Sequence, residues 1–260
     1  PHPQAWEFLK QFIERYDGSI FSAPAFGQDL NVPQFLVAPS IDPLSEKNRD
    51  LTEQEVDGVF QQLKVPRDKP IVTQISRFDR LKDPVGVIQA YRLVKRSVDC
   101  RLILAGGGAT DDPEGAQVLA EVQELSQDDP DIHVLFLPPR SDTEINALQR
   151  GSDVVVQKSL REGFGLTVSE ALWKGRPVVA SAVGGIPLQI AHQHSGMLCR
   201  SIEGAAHSIK QCLNNPAFAE RLGQNGREHV RQNFLLTRHL KEYLLICHAL
   251  EHKENVVHLG

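Results

Sequence analysis

Cysteine is scarce and scattered. The four, Cys100, Cys199, Cys212 and Cys247, have no C-x-x-C spacing, which argues against a zinc site, gives no disulfide framework and leaves most of them as buried thiols. Long apolar runs are missing too: no stretch reaches the roughly 18 residues that a membrane helix requires. The opening Pro1-His2-Pro3-Gln4 has neither the basic nor the apolar region of a signal peptide. No membrane partner is expected, and a cytoplasmic location follows by default. Positive charge is not in excess, with 28 Lys and Arg against 33 Asp and Glu and a net charge of -5. Nucleic-acid binding, which needs a basic stripe to displace phosphate counterions, is therefore not expected. Ten histidines are present, none in a trusted metal spacing; His192 and His194 lie two apart, which separates them on a helix, so no metal site is expected. No Ser-His-Asp or Cys-His arrangement can be argued from spacing, and spacing cannot give the carboxylate separation of a glycosidase, so hydrolysis is not favoured.

What is present is a soluble, core-forming composition, 41% hydrophobic over 260 residues. From about residue 70 strand and helix patterns alternate. Strands are expected at Pro70 to Ile75, Arg101 to Ala105, His133 to Leu137, Val154 to Gln157, Val178 to Ala180 and Met197 to Cys199. Helices are expected at Asp83 to Lys95, Gly115 to Ser126, Ser141 to Arg150 and Leu166 to Lys174. This pattern predicts an α/β protein with a parallel sheet covered by helices on both faces. In such sheets ligands bind at the carboxyl ends of strands, so Arg77, Gly106, Pro138, Glu162 and Gly184 should gather on one rim. The first 45 residues break the pattern. Trp6 to Tyr16 reads as an amphipathic helix, Ser19 to Ser22 as a short strand, and Pro24 to Pro43 as an extended connection. Ala217 to Leu250 gives two helices parted near Asn233-Phe234, and the last ten residues carry no periodic signal.

The densest signal is Glu162-Gly163-Phe164-Gly165-Leu166-Thr167-Val168-Ser169-Glu170-Ala171, which follows a strand and opens into a helix. A glycine turn at that junction leaves amide N–H groups at the positive end of the helix dipole, where a phosphate or sugar oxygen can dock. Glu162 in the loop and Glu170 one turn down the helix suit hydroxyl groups of a hexose and a ribose better than a phosphate, which they would repel. On spacing alone, a tight turn with two solvated glutamates fits as well. Arg77 and Lys82 lie in the first strand-to-helix loop, Ser76 to Pro84. A guanidinium fork and a mobile ammonium can together grip a diphosphate and neutralise it as it leaves; solvated loop cations are the plainer alternative. Gly106-Gly107-Gly108 is not a dinucleotide fingerprint, because Asp111 stands where the third glycine is needed. A backbone passing close to a ligand, or a plain turn, suits it better, and the same holds for Gly184-Gly185.

These residues together resemble the retaining glycosyltransferases of the GT-B fold (family 4, group 1), the large family that includes sucrose and glycogen synthases. The resemblance runs over about residues 35 to 250. It rests on Ser76-Arg77-Phe78 with Lys82, Leu104-Ala105-Gly106-Gly107-Gly108, the Glu162 to Ala171 stretch, and Gly175-Arg176-Pro177-Val178-Val179 with Gly184-Gly185. Within that family Pro39 to Asn48, Asp111 to Gly115 and Leu160 to Val168 are similar to the trehalose glycosyltransferring synthases, which join a nucleotide-activated glucose to glucose.

The resemblance implies a Rossmann-like C-terminal domain that binds a nucleoside-diphosphate glucose (UDP-, ADP- or GDP-glucose), with no tightly bound cofactor and any Mg2+ carried by the diphosphate. Arg77, Lys82 and Glu162 would be catalytic. Gly106, Gly107, Gly163, Phe164, Gly165, Leu166, Thr167 and Glu170 would bind the donor, Thr167 near phosphate and Glu170 on the ribose. It divides the chain into a tail of an absent N-terminal domain with linker (1–34), the nucleotide-sugar domain (35–228), a crossing helix (229–250) and a loose tail (251–260). The acceptor sugar would meet the absent domain, so the fragment alone would be inactive, and its uncovered apolar faces would favour homo-oligomers. A related transferase with another acceptor, a nucleotide-sugar epimerase and a non-catalytic nucleotide-binding module remain alternatives.

Overall fold

A computed structural model describes residues 3–108 and 113–252. Three elements come first: helix α1 (Pro3–Ile13), and strands β1 (Ser19–Phe21) and β2 (Gln34–Leu36), which pair in parallel across the proline-rich stretch. The extended connection expected from Pro24 to Pro43 therefore contains a strand. Helix α2 (Glu53–Gln62) follows, and it too was absent from the sequence reading. Its start is a capping box: Thr52 accepts from the Glu55 amide while Glu55 reaches back to the Thr52 amide at 2.7 Å.

The main sheet is built from β3 (Ile71–Ile75), β4 (Arg101–Gly106), β5 (Ile132–Phe136), β6 (Val154–Gln157), β7 (Val178–Ser181) and β8 (Met197–Cys199). All pairings are parallel, in the order β5-β4-β3-β6-β7-β8. The chain winds outward one way from β3 to β5, then returns beside β3 and winds the other way. Such a reversal opens a crevice between the carboxyl ends of the two central strands, β3 and β6. Every residue of β3, β4, β6 and β7 is buried. Parallel strands covered on both faces need continuous apolar runs of this kind.

The covering helices are α3 (Pro84–Lys95), α4 (Pro113–Ser126), α5 (Asp142–Arg150), α6 (Leu166–Trp173), the single turn α7 (Ile186–Gln189), α8 (Ile202–Asn214) and α9 (Pro216–Asn233). One core holds Val87, Tyr91, Leu102, Val156 and Ile209, with α3 and α8 on that face. Two smaller cores lie opposite, one joining α6 to α9 through Leu172 and Val230, the other joining α2 to α5 through Phe60 and Leu148. The expected elements from residue 70 recur within two residues at each end, and α7 and α8 are additions.

Helix α9 runs unbroken through residue 228, so the division expected there falls inside a helix; the break comes at Phe234, before α10 (Leu236–His252). Ile41 pairs with Leu235 at that break, its amide donating to Phe234 O at 2.8 Å. Neither α1 nor α10 has a buried residue, and Phe8, Phe12, Tyr16, Leu240 and Leu244 are exposed. Among the described residues no helix is long and apolar enough to cross a membrane. Cys100, Cys199 and Cys212 are buried and Cys247 is exposed. The motif Asp111-Asp112, Pro1-His2 and all but two residues of the expected loose tail lie outside the described residues.

Candidate active site

The loop after β3 is rigid for local reasons. Asp79 accepts from the Leu81 amide at 2.7 Å and starts a single 3-10 turn, Arg80–Lys82. Asp83 then takes a left-handed conformation (φ 50°) and caps α3 by accepting from the Gly86 amide at 3.0 Å, with Pro84 pre-set at the first helical position. Gln74, buried at the end of β3, holds the Lys82 carbonyl from below at 2.7 Å.

The loop after β6 meets this one across the crevice. Lys82 Nζ donates to Glu162 Oε2 at 2.6 Å, and Ser159 Oγ donates to the same oxygen at 3.1 Å. Lys158 pairs with Asp83, and the Leu160 amide donates to Leu81 O at 2.8 Å. The switch point is thus spanned by two ion pairs and a backbone bond. Both ion pairs are largely shielded from water, since the side chains of Glu162 and Lys158 are 9% and 8% exposed.

Glu162 is followed by the glycine turn. Gly163 would meet nothing within 4 Å if it carried a Cβ, so its backbone faces open space. Phe164 turns inward and packs edge-on against Phe234 at 5.6 Å. Gly165, at φ 83°, makes the left-handed step into α6, and the helix start carries no side-chain cap. Of its first N–H groups, that of Val168 donates to Gly165 O at 2.9 Å; an uncapped helix start can receive a phosphate or sugar oxygen on the others. Gln189 Nε2 donates to Phe164 O at 2.5 Å and Gln189 Oε1 accepts from Ser169 Oγ, so α7 braces the turn.

The two remaining glycine motifs have definite jobs. A Cβ on Gly106 would lie 1.8 Å from Ser76 O, and one on Gly184 would lie 1.8 Å from Glu162 O. Gly106 lets the ends of β3 and β4 close together beside Arg77; Gly184 lets the loop after β7 press on Glu162. Gly107 O accepts from the Phe78 amide. Arg77 is exposed at 60% of its side chain and, among the described residues, is paired with Asp79 alone at 3.2 Å, a contact that a stronger anion can displace.

Glu170 sits deeper, one turn into α6. Burial pushes its carboxyl above the usual carboxylate range, with Lys47 and Lys174 opposing and Asp142 adding to the rise. Lys174 is itself buried and pushed down to about 7 by desolvation, against the pull of Glu170. The structure therefore brings together Arg77, Lys82, Glu162, Gly106, Gly107 and the turn 163–167 on one rim, with Glu170 just below. Sequence reasoning did not find Gln74, Lys158, Ser159, Asp83, Lys47 or Lys174. Asp83-Pro84 carried a readable helix-start signal; Ser159 acts on Glu162 three residues on but gave no pattern of its own, and Gln74, Lys158, Lys47 and Lys174 gave none because their roles depend on partners 8 to 126 residues away.

His192 and His194 lie in the turn between α7 and β8, where His192 Nδ1 accepts from the Leu198 amide at 3.0 Å. Among the described residues no group of three His, Cys, Asp or Glu side chains could hold a metal ion. A cavity of about 280 Å³ adjoins the rim between Lys158, Ser181 and Arg200. A wider one of about 530 Å³, between Ser97, His207 and Phe218 on the outer helices, holds none of these groups. Converging charges and strand ends, rather than volume, locate the site.

The family description "Glycosyl transferases group 1" matches residues 56–229. The chain belongs to that family. Among curated group 1 relatives, the trehalose synthase of Pyrococcus horikoshii is 42% identical over 255 residues, covering 96% of this chain and 61% of its own. The chain thus spans about three fifths of that relative's length. Sucrose-phosphate synthase from Thermosynechococcus elongatus superposes with a TM-score of 0.80 at 23% identity, over 97% of this chain and 63% of that one. Anabaena HepE, solved with UDP and glucose, superposes at 0.77 and 20% identity, over 96% and 67%. These neighbours are GT-B glycosyltransferases, and the six-stranded sheet is the Rossmann-like half of that fold.

Proposed function

We propose that this chain is the donor-binding part of a retaining hexosyltransferase that moves glucose from a nucleoside-diphosphate glucose to glucose, giving trehalose. One observation carries the reading: Lys82 meets Glu162 across the switch point, beside the uncapped start of α6 and in the same loop as the exposed Arg77. A site of that kind can bind a sugar diphosphate at both ends of its labile bond. Arg77 and Lys82 take the phosphate oxygens as negative charge grows on the departing diphosphate. Glu162 and the amides of Gly163 to Leu166 hold the hexose, Thr167 lies near phosphate, and Glu170 accepts from the ribose hydroxyls. No side chain is aimed as a nucleophile in this scheme, so the acceptor hydroxyl attacks on the face the diphosphate leaves, with positioning and charge supplying the acceleration. Mg2+, where present, travels with the diphosphate. The acceptor sits against the part of the longer protein that this chain does not include, as does the cover for α1 and α10; the reaction takes place in the cytoplasm.

The similarity to trehalose synthases supports the acceptor, and HepE's complex with UDP and glucose supports the donor class. Calorimetric titration of the chain with UDP, ADP, GDP and their glucose conjugates, repeated on Glu170→Ala, tests the donor site. Saturable binding lost in the variant is expected and names the base. The full-length protein must then form trehalose from that donor and glucose; formation of another glucoside, or of none, would overturn the assignment.

A further inference from the structure

The stretch Asp42–Asp50 has no role in the scheme above, yet three side chains from α5 and the end of α6 fasten it beside the site. Asn146 of α5 donates to Glu46 O and Arg49 O, both at 2.9 Å. Arg150 of the same helix donates to Asn48 O and Arg49 O and pairs with Asp50 at 2.9 Å. Asn48 is buried, donates to Asp42 O, and receives Lys174 Nζ of α6 on its Oδ1 at 3.0 Å. Between these clamps the stretch has one side chain directed at the donor pocket. Lys47 Nζ lies 4.0 Å from Glu170 Oε1 and 3.4 Å from Asp142 of α5, and is one-third exposed.

Resting on the nucleoside-diphosphate reading, we propose that Lys47 is a positioning residue of the nucleoside pocket, holding Glu170 as the charged acceptor that a ribose diol requires. A carboxylate accepts from two hydroxyls only while ionised; protonated, it loses acceptor capacity and adds a donor. Burial works against ionisation of Glu170, and Asp142 adds like charge. The opposing cations among the described residues are Lys47 and Lys174, and the Lys174 ammonium is already engaged by Asn48 Oδ1 and Glu170 O. Among the described residues Lys47 makes ion pairs at 3.4 and 4.0 Å but no hydrogen bond, and it can follow Glu170 as the ribose enters. Asp142 holds it near while the pocket is empty.

The test uses Lys47→Met, with Lys47→Arg as the conservative control, because a one-third exposed side chain can be exchanged without opening the core. In the nucleotide-free chain, the titration midpoint of the Glu170 carboxyl, followed by its 13C shift, should rise by about one unit in Lys47→Met and return in Lys47→Arg. A change under about 0.3 unit overturns the proposal, since each unit is tenfold in the ionisation equilibrium. Titrations with UDP, ADP and GDP are then compared with their 2′,3′-dideoxy analogues at pH 6 and 8. Lys47→Met should weaken the ribonucleotide more at pH 6 than at pH 8, by no more than the roughly tenfold that a one-unit shift allows, and leave the dideoxy analogue unchanged at both. Equal losses for both kinds of nucleotide would make Lys47 a general anion attractor and overturn the ribose role. Failure of the unsubstituted chain to bind any nucleotide would refute the donor site itself; binding there, with Lys47→Met indistinguishable, refutes this inference alone.

Discussion

The bond between Lys82 and Glu162 gives the sharpest test, because stability and catalysis should respond to it differently. Lys82 Nζ and Glu162 Oε2 are 2.6 Å apart with 19% and 9% of their side chains exposed. At an effective dielectric constant near 20 that separation corresponds to about 6 kcal/mol of attraction before desolvation, which cancels most of it. In Lys82→Met the carboxylate keeps Ser159 Oγ and the Gly163 amide at 3.1 and 3.2 Å, so it is impoverished rather than orphaned. The expected loss is about 2–3 kcal/mol, below the roughly 3–5 of a fully buried pair because Lys82 is partly wet. Glu162→Gln should cost somewhat less, its amide still accepting from Ser159. The double variant removes both charges, so urea midpoints measured without ligand should give a coupling of about 1–2 kcal/mol. Turnover in the full-length enzyme should not follow that recovery: Lys82→Met should fall on the order of a hundredfold and the double variant at least as far, since the leaving diphosphate has lost its cation. Single effects that add within about 0.5 kcal/mol would refute the stabilising bond. A turnover loss under threefold in Lys82→Met would refute the catalytic role, whatever the cycle shows.

Arg77→Ala should lower turnover of the full-length enzyme by about a hundredfold or more while leaving the urea midpoint unmoved, because its one ion pair among the described residues, with Asp79, is made by a largely exposed guanidinium; a loss under threefold would remove it from the site. Gly106→Ala should cost about 1–3 kcal/mol by forcing β4 away from Ser76 O, and an unchanged thermal midpoint would show that the two strand ends have room to part. Asp131, at the opposite end of the sheet, is opposed by burial, but hydrogen bonds from Lys69 and Lys95 outweigh it and bring the carboxyl down to about 2. A lowered folded value stabilises above the unfolded value and is lost as pH falls, so Asp131→Asn should cost about 2 kcal/mol at pH 7 and almost nothing at pH 2. The window lies between about pH 4 and 2; a gap between the two proteins that stayed constant across it would contradict the account.

Most of the sheet was legible because β3, β4, β6 and β7 are buried on both faces and so write unbroken apolar runs into the chain. Helix α6 was legible for the same kind of local reason: its glycine turn, apolar middle and stop at Gly175 are all within one stretch. Helix α2 was readable in principle from the Thr52–Glu55 capping box, but its apolar positions Val56, Val59 and Phe60 are too few to announce a periodicity. Strand β2 owes its form to its pairing with β1, which no local signal encodes.

The sequence by itself determined which chemistry could exist here: Arg77 and Lys82 in one loop, two glutamates around a glycine turn, and no metal spacing or nucleophile arrangement that could be argued from it. Only the tertiary structure decided which of these groups act on each other. The strand order puts the ends of β3 and β6 side by side although 80 residues separate Lys82 from Glu162. It also brings Asn48 to Lys174 across 126 residues. Local rules reach one helical turn or one strand pleat along the chain, whereas an ion pair or a buried amide is fixed by whichever element packs opposite, and that is settled only when the whole sheet closes.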